Sequence, residues 1–208
     1  FWNTEKYFKD FESTIRKELT LKNPLGEEAS QIALKLNQNK AEGTTLILLH
    51  VRRGDYVTSI GSVKLLGITG LEYYKEAIKT ILERASSTSN ISKNILSDTS
   101  STSDTPIMFV LASDDSTWVK ENIPPLLGNA PYEIISGRPT VKDFEELYLM
   151  SLCHHFIITN STYSWWSAWL SESAETAGVK KIVVGPEKWI VDPKIDTRDV
   201  MPEEWIRI

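Results

Sequence analysis

Three short segments carry residue types that can do chemistry together: His50-Val51-Arg52-Arg53-Gly54-Asp55, Ser113-Asp114-Asp115, and Asn160-Ser161-Thr162. Each directly follows an apolar run of strand length. Adjacent arginines leaving a strand point to opposite faces, so one can enter a crevice while its neighbour braces it. A guanidinium's planar fork matches a diphosphate and can neutralise charge building on a leaving phosphate. The other reading of Arg52 and Arg53 is structural, as ion pairs with Asp55 and Asp114. Asn160-Ser161-Thr162 opens a helix, where free N–H groups favour an anion; ordinary capping by Ser161 or Ser164 is its alternative. Asp114 and Asp115 could hold magnesium. Without an Asp-x-Asp pattern in the chain, hydrogen bonds to ribose or to the arginines are the preferred role.

The elements around these segments read as an α/β chain. Thr44–Val51 (TTLILLHV), Ile107–Ala112, Tyr132–Ile135, Phe156–Thr159 and Lys181–Gly185 are short apolar runs. Between them, Leu71–Ala85, Ser116–Asn122, Val141–Cys153 and the tryptophan-rich Tyr163–Ser173 have helical spacing. Unbroken apolar strands alternating with helices predict a parallel sheet covered on both faces, a Rossmann-like α/β domain. In such sheets ligands collect at the carboxyl ends of the strands, where the three polar segments would converge. A helix over Thr4–Leu19 precedes this unit, and residues 1–43 read as a separate helical piece ahead of a domain at 44–208. Within Ser86–Thr105, 12 of 20 residues are Ser or Thr, the composition of a loosely ordered insertion. It contains an N-glycosylation acceptor, Asn90-Ile91-Ser92. A second acceptor pattern, Asn160-Ser161-Thr162, is expected to be buried and unmodified.

The remaining composition narrows the function classes. A formal charge of −5 over 208 residues gives no broad basic surface for nucleic acid. One cysteine and three histidines make neither a disulfide framework nor a Cys/His zinc cluster. No apolar run approaches transmembrane length. Neither G-x-G-x-x-G nor a P-loop occurs, which removes the dinucleotide oxidoreductases and kinases built on those motifs. Trp165, Trp166 and Trp169 are expected in the core rather than stacked on a sugar. His154 and His155 read as a surface pair, and Cys153 as a small buried residue. Arg53-Gly54-Asp55 spells an adhesion tripeptide but follows a buried strand, a poor place for display.

HVRRGD, Leu149–Cys153 (LMSLC), the string NSTYSWWSAWL over Asn160–Leu170 and Gly185–Trp189 (GPEKW) resemble the galactoside α-1,2-fucosyltransferases of glycosyltransferase family 11. HVRRGD alone is shared with α-1,6- and protein O-fucosyltransferases; the long tryptophan string is the specific part. The resemblance implies the C-terminal, donor-binding half of a two-domain GT-B enzyme. That enzyme moves L-fucose from GDP-fucose to the 2-hydroxyl of a terminal galactose with inversion and without a metal or other cofactor. It implies that Arg52 grips the β-phosphate, that His50 and Glu146 hold guanosine, and that Ser161 and Thr162 meet the phosphates. Arg53, Asp114, Asp115 and Asn160 would line the same site; Asp55, the carboxylate nearest the arginine pair, is either the base or a structural partner of Arg53, the base then lying outside these residues. The family's Gly-Gly-x-Gly-Asn-Gln loop is absent, so a GDP-sugar-binding fragment without turnover is the rival expectation. The expected partners are GDP-fucose and a galactose-terminated glycan. The insertion and Asn90 favour the Golgi lumen, with any membrane anchor outside these residues, over a bacterial cytoplasm.

Overall fold

A computed structural model describes residues 4–88 and 105–208. Its helices are α1 (Glu12–Glu18), α2 (Glu27–Ala41), α3 (Gly54–Thr58), α4 (Ile60–Leu66), α5 (Leu71–Thr88), α6 (Ser116–Asn122), α7 (Asp143–Ser151), α8 (Thr162–Leu170) and α9 (Ser173–Thr176). Its strands are β1 (Thr45–Val51), β2 (Ile107–Ser113), β3 (Tyr132–Ile134), β4 (His155–Ile157), β5 (Val183–Gly185) and β6 (Ile206–Arg207). The six form one sheet in the order β3-β2-β1-β4-β5-β6, and every pairing is parallel. This is the doubly wound Rossmann-like order expected from the strand–helix alternation, with its direction reversing between β1 and β4.

Side-chain alternation along β1 divides the core in two. Leu46 and Leu48 face α2, α7 and α8, packing with Ala29, Leu36, Phe156 and Trp165. Ile47, Leu49 and Val51 face α5 and α6, packing with Tyr74, Ile81 and Val119. Helix α2 carries Ala29, Ile32, Ala33 and Leu36 on one buried stripe and shares the core of the sheet.

The N-terminal segment departs from the expected continuous helix over Thr4–Leu19. Two 3-10 turns, Glu5–Tyr7 and Lys9–Phe11, precede α1, and the break falls at Phe8, with φ −137°. The ring of Phe8 stacks on Trp166 at 5.4 Å and meets Trp169 edge-on at 5.1 Å, so tertiary packing overrides helical propensity there. The Ser/Thr-rich stretch begins later than expected: α5 extends to Thr88, with Ala85 buried and the Ser86 hydroxyl donating to the Leu82 carbonyl. Asn90 lies outside the described residues.

Candidate functional site

Strand β1 ends at a fully buried Val51, paired in register with Ser113 of β2, so the next residues on each strand meet. Asp114 Oδ1 accepts from the Arg53 backbone N–H at 2.8 Å, and Asp114 Oδ2 lies 3.1 Å from Arg52 Nη1. Arg52 Nη2 donates to Asp55 Oδ1 at 2.6 Å. The neighbouring arginine turns away: Arg53 Nε reaches Asp115 Oδ2 at 3.3 Å, and its guanidinium lies 4.3 Å over the Trp118 ring. Asp115 Oδ1 also caps α6 by accepting from Trp118 N–H at 3.0 Å. Arg53 is therefore braced, whereas Arg52 sits at the mouth with 36% of its side chain exposed. Gly54 permits the turn, because a Cβ there would stand 2.3 Å from Asp114 Oδ2.

Across the switch point, β4 delivers Thr159, Asn160 and Ser161, all buried. Ser161 occupies the N-cap of α8, yet its side chain makes no capping hydrogen bond. The Ser164 hydroxyl donates to the Ser161 carbonyl rather than receiving an amide. The side-chain capping read as the alternative for this segment is thus not formed, which leaves the first turn of α8 suited to an anion. His50 Nδ1 lies 3.3 Å from Thr159 Oγ1, and its ring centroid is 6.0 Å from that of Tyr163. Burial, with the adjacent Arg52 charge, lowers the His50 pKa to about 3, so this imidazole is neutral at physiological pH. Glu146 on α7 is partly buried; burial raises its carboxyl pKa against the lowering effect of the Ser136 hydroxyl, and Asp143 raises it further. Arg52, an open helix N-terminus and a neutral imidazole come together beyond the ends of β1 and β4.

The model of the family described as "Glycosyl transferase family 11" matches residues 1–208. The chain belongs to this family. It is 27% identical to an "Alpha-1,2-colitosyltransferase" of Escherichia coli over 100% of its own length and 61% of that protein. It is 32% identical to the "O-antigen biosynthesis glycosyltransferase WbnK" of Escherichia coli over 71% of this chain and 40% of that one. To the "Galactoside alpha-(1,2)-fucosyltransferase 2" of Mus musculus it is 30% identical, over 79% of this chain and 42% of the relative. The chain spans about 40% to 61% of the length of these relatives, which come from bacteria and mammals alike. Among the described residues, no helix is long and apolar enough to cross a membrane.

Family membership leaves the individual site residues to be placed by geometry. His50, Arg52, Arg53, Asp55, Asp114 and Asp115 gather at the ends of β1 and β2. Asn160, Ser161 and Thr162 follow β4, and Tyr56 bridges the two groups by donating to the Asn160 carbonyl at 3.0 Å. Among the described residues no three His, Cys, Asp or Glu side chains gather as a metal site. The acidic side chains instead hold the arginines, the structural pairing weighed from the sequence, with Asp115 as the added partner of Arg53. Asp55 is tied to Arg52 and Gly54 opens α3, so the Arg-Gly-Asp tripeptide is built into the site. An open groove of about 1310 Å³ elsewhere is lined by Arg16, Lys40, Leu147, Trp166 and Leu170, and by none of the candidate site residues.

His154 and His155 are not a surface pair: they are 5% and 1% exposed. His154 Nδ1 accepts from Leu46 N–H at 2.9 Å and His155 Nδ1 accepts from Ile182 N–H at 3.3 Å. Each imidazole supplies an acceptor to a backbone amide beside the sheet. The tryptophans do serve the core, with Trp165 fully buried and its indole N–H donating to Val200 O at 2.7 Å. Cys153 is buried as expected, and burial raises its thiol pKa far above the usual range. Tyr56 and Trp118 were missed as supports of the arginines; aromatic residues just beyond strand ends were the available signal.

Proposed function

We propose that this chain is the GDP-fucose-binding half of a GT-B galactoside α-1,2-fucosyltransferase, which transfers L-fucose with inversion to the 2-hydroxyl of a terminal galactose. The observation that carries this reading is the position of Arg52, 36% exposed beyond the end of β1, with its guanidinium 5.3 Å from the Tyr56 ring whose hydroxyl donates to the Asn160 carbonyl, two residues before α8. A diphosphate seated there would exchange the Asp55 carboxylate on Arg52 for phosphate oxygens, while the amides of Ser161 and Thr162 take the other side. The neutral His50 and the Glu146 carboxyl would hold guanosine, in keeping with the expectation from the family. Arg53, Asp114 and Asp115 keep the loop in shape. Inversion needs the acceptor hydroxyl to attack opposite the departing GDP, and Asp55 is the carboxylate nearest Arg52 for the role of base. No metal step is required, since the guanidinium carries the phosphate charge.

Names of relatives give the donor sugar two candidates, fucose and colitose. The resemblance of the string NSTYSWWSAWL to the galactoside α-1,2-fucosyltransferases is the basis for fucose here. Calorimetric titration with GDP and GDP-fucose tests the site, and transfer assays with fucosyl and colitosyl donors test the sugar. Binding by wild type and its loss in Arg52→Ala are expected. Absence of GDP binding by the folded chain at millimolar concentration refutes both the enzyme and the rival reading as a binding fragment. GDP binding without turnover favours the fragment. The compartment reading is the Golgi lumen; expression in secreting animal cells should then place a glycosidase-sensitive glycan on Asn90.

A further inference from the structure

Asn160 follows β4 as a residue of a motif read for ligand binding, but its side chain is otherwise engaged. The residue is 4% exposed, and its Nδ2 donates to the Leu66 carbonyl at 2.6 Å and to the Trp189 carbonyl at 3.2 Å. Both acceptors need such a donor. Leu66 closes α4, where the last carbonyls have no intrahelical partner, and Trp189 lies in the irregular chain after β5. The two segments also touch directly: Val191 N–H donates to Leu65 O at 2.8 Å. Gly67, with φ +70°, turns the chain so tightly against Val191 that a Cβ would stand 2.7 Å from its Cγ2.

The backbone of the same residue grips the other end of this excursion. The Asn160 carbonyl accepts from Tyr56 Oη, and the Tyr56 ring lies beneath the Arg52 guanidinium at 5.3 Å. Segment 54–66 follows Arg53 beyond the end of β1 and closes at Leu66, so one residue after β4 holds it near both ends. We propose that Asn160 is a positioning residue whose amide and carbonyl clamp segment 54–66 over the switch point, so that Arg52 meets the diphosphate of the donor in a fixed orientation. This rests on the GDP-sugar reading of the crevice, although the clamp itself is a statement about the chain alone.

The experiment compares GDP with guanosine. Asn160→Ala should weaken GDP about tenfold and guanosine less than twofold, because only the phosphate half is contacted through Arg52. Amide hydrogen exchange over 54–66 should accelerate while the core strands stay protected. Leu65→Cys and Val191→Cys joined by a short bismaleimide, in the Asn160→Ala background, should restore GDP affinity to within about twofold of wild type. Both positions are exposed and Cys153 is fully buried, so the reagent has no competing thiol. Tyr56→Phe removes only the hydroxyl and should give a smaller loss, about threefold, confined to GDP; it covers the case in which Asn160→Ala does not fold. Equal losses for GDP and guanosine, or unchanged GDP affinity and exchange in folded variants, overturn the clamp. A tether that restores nothing does the same. Wild type that binds neither ligand overturns the GDP reading, while accelerated exchange in the variants still supports the clamp.

Discussion

The three histidines should make the fold acid-labile over a defined window. His50, His154 and His155 are 4%, 5% and 1% exposed. Burial is the first cause of a lowered pKa in each, to about 3 for His50 and to about 4 for His154 and His155. The unfolded chain binds these protons near pH 6.5, well before the folded chain does. Because the unfolded state then holds more protons, stability falls as pH drops below about 6.5 and continues to fall until the folded-state pKa values are reached. At pH 5 each site lies about 1.5 units below its unfolded pKa, a cost of about 2 kcal/mol, or about 6 kcal/mol for all three. Marginal domains have about 5–15 kcal/mol in total, so a large share of the fold's stability disappears.

Urea unfolding at several pH values is the direct assay, with the free energy expected to change by about 4 kcal/mol per pH unit between pH 6 and pH 4.5. Glu146, with its raised pKa, opposes this trend over part of the window. Glu28 and Glu145, with lowered pKa values, add to it as pH falls from the ordinary carboxylate pKa downward. His154→Asn keeps an oxygen acceptor for Leu46 N–H but cannot titrate, so it should reduce the slope by about 1.4 kcal/mol per pH unit. A wild-type slope below about 1.4 kcal/mol per pH unit, equivalent to one proton, would refute the claim that all three imidazoles are held neutral by the fold.

Other outcomes concern the crevice. Arg52→Ala, tested in a protein that turns over, should lose about 3 kcal/mol or more of transition-state stabilisation in kcat/KM with the unfolding curve unchanged. Arg52→Lys should fail similarly for want of the planar fork; near-normal turnover by either variant rejects the phosphate clamp. Gly54→Ala forces a Cβ into the space of Asp114 Oδ2, 2.3 Å away, and should cost about 1–3 kcal/mol of stability, with weakened GDP binding; calorimetry and urea melts read both. Transfer activity should survive EDTA, and a loss restored by manganese would show that a metal carries charge assigned to Arg52.

What the sequence disclosed depended on whether a signal was local. The runs TTLILLHV and IMFVLA predict buried parallel strands because each carries an unbroken apolar stretch, Leu46–Leu49 and Ile107–Ala112, and they became β1 and β2. Strand β6 has two residues and no run to read. Helix α2 did leave a trace, since Ala29, Ile32, Ala33 and Leu36 have amphipathic spacing behind Gly26. The reading of 1–43 as merely helical passed over that boundary. His154 and His155 were misplaced for a different reason. A polar residue beside a strand is ordinarily solvated, and only the partner amides of Leu46 and Ile182, more than 25 residues away in sequence, reveal imidazoles used as buried acceptors. The same holds at the crevice. HVRRGD and NST announce charge and a helix start, and both stand at the switch point. Neither announces that Asp114 reaches the Arg53 amide or that Asn160 spends its protons on Leu66 and Trp189. Residue types mark where a site can form; which of them face the ligand and which hold the others in place follows from contacts that only the folded chain creates.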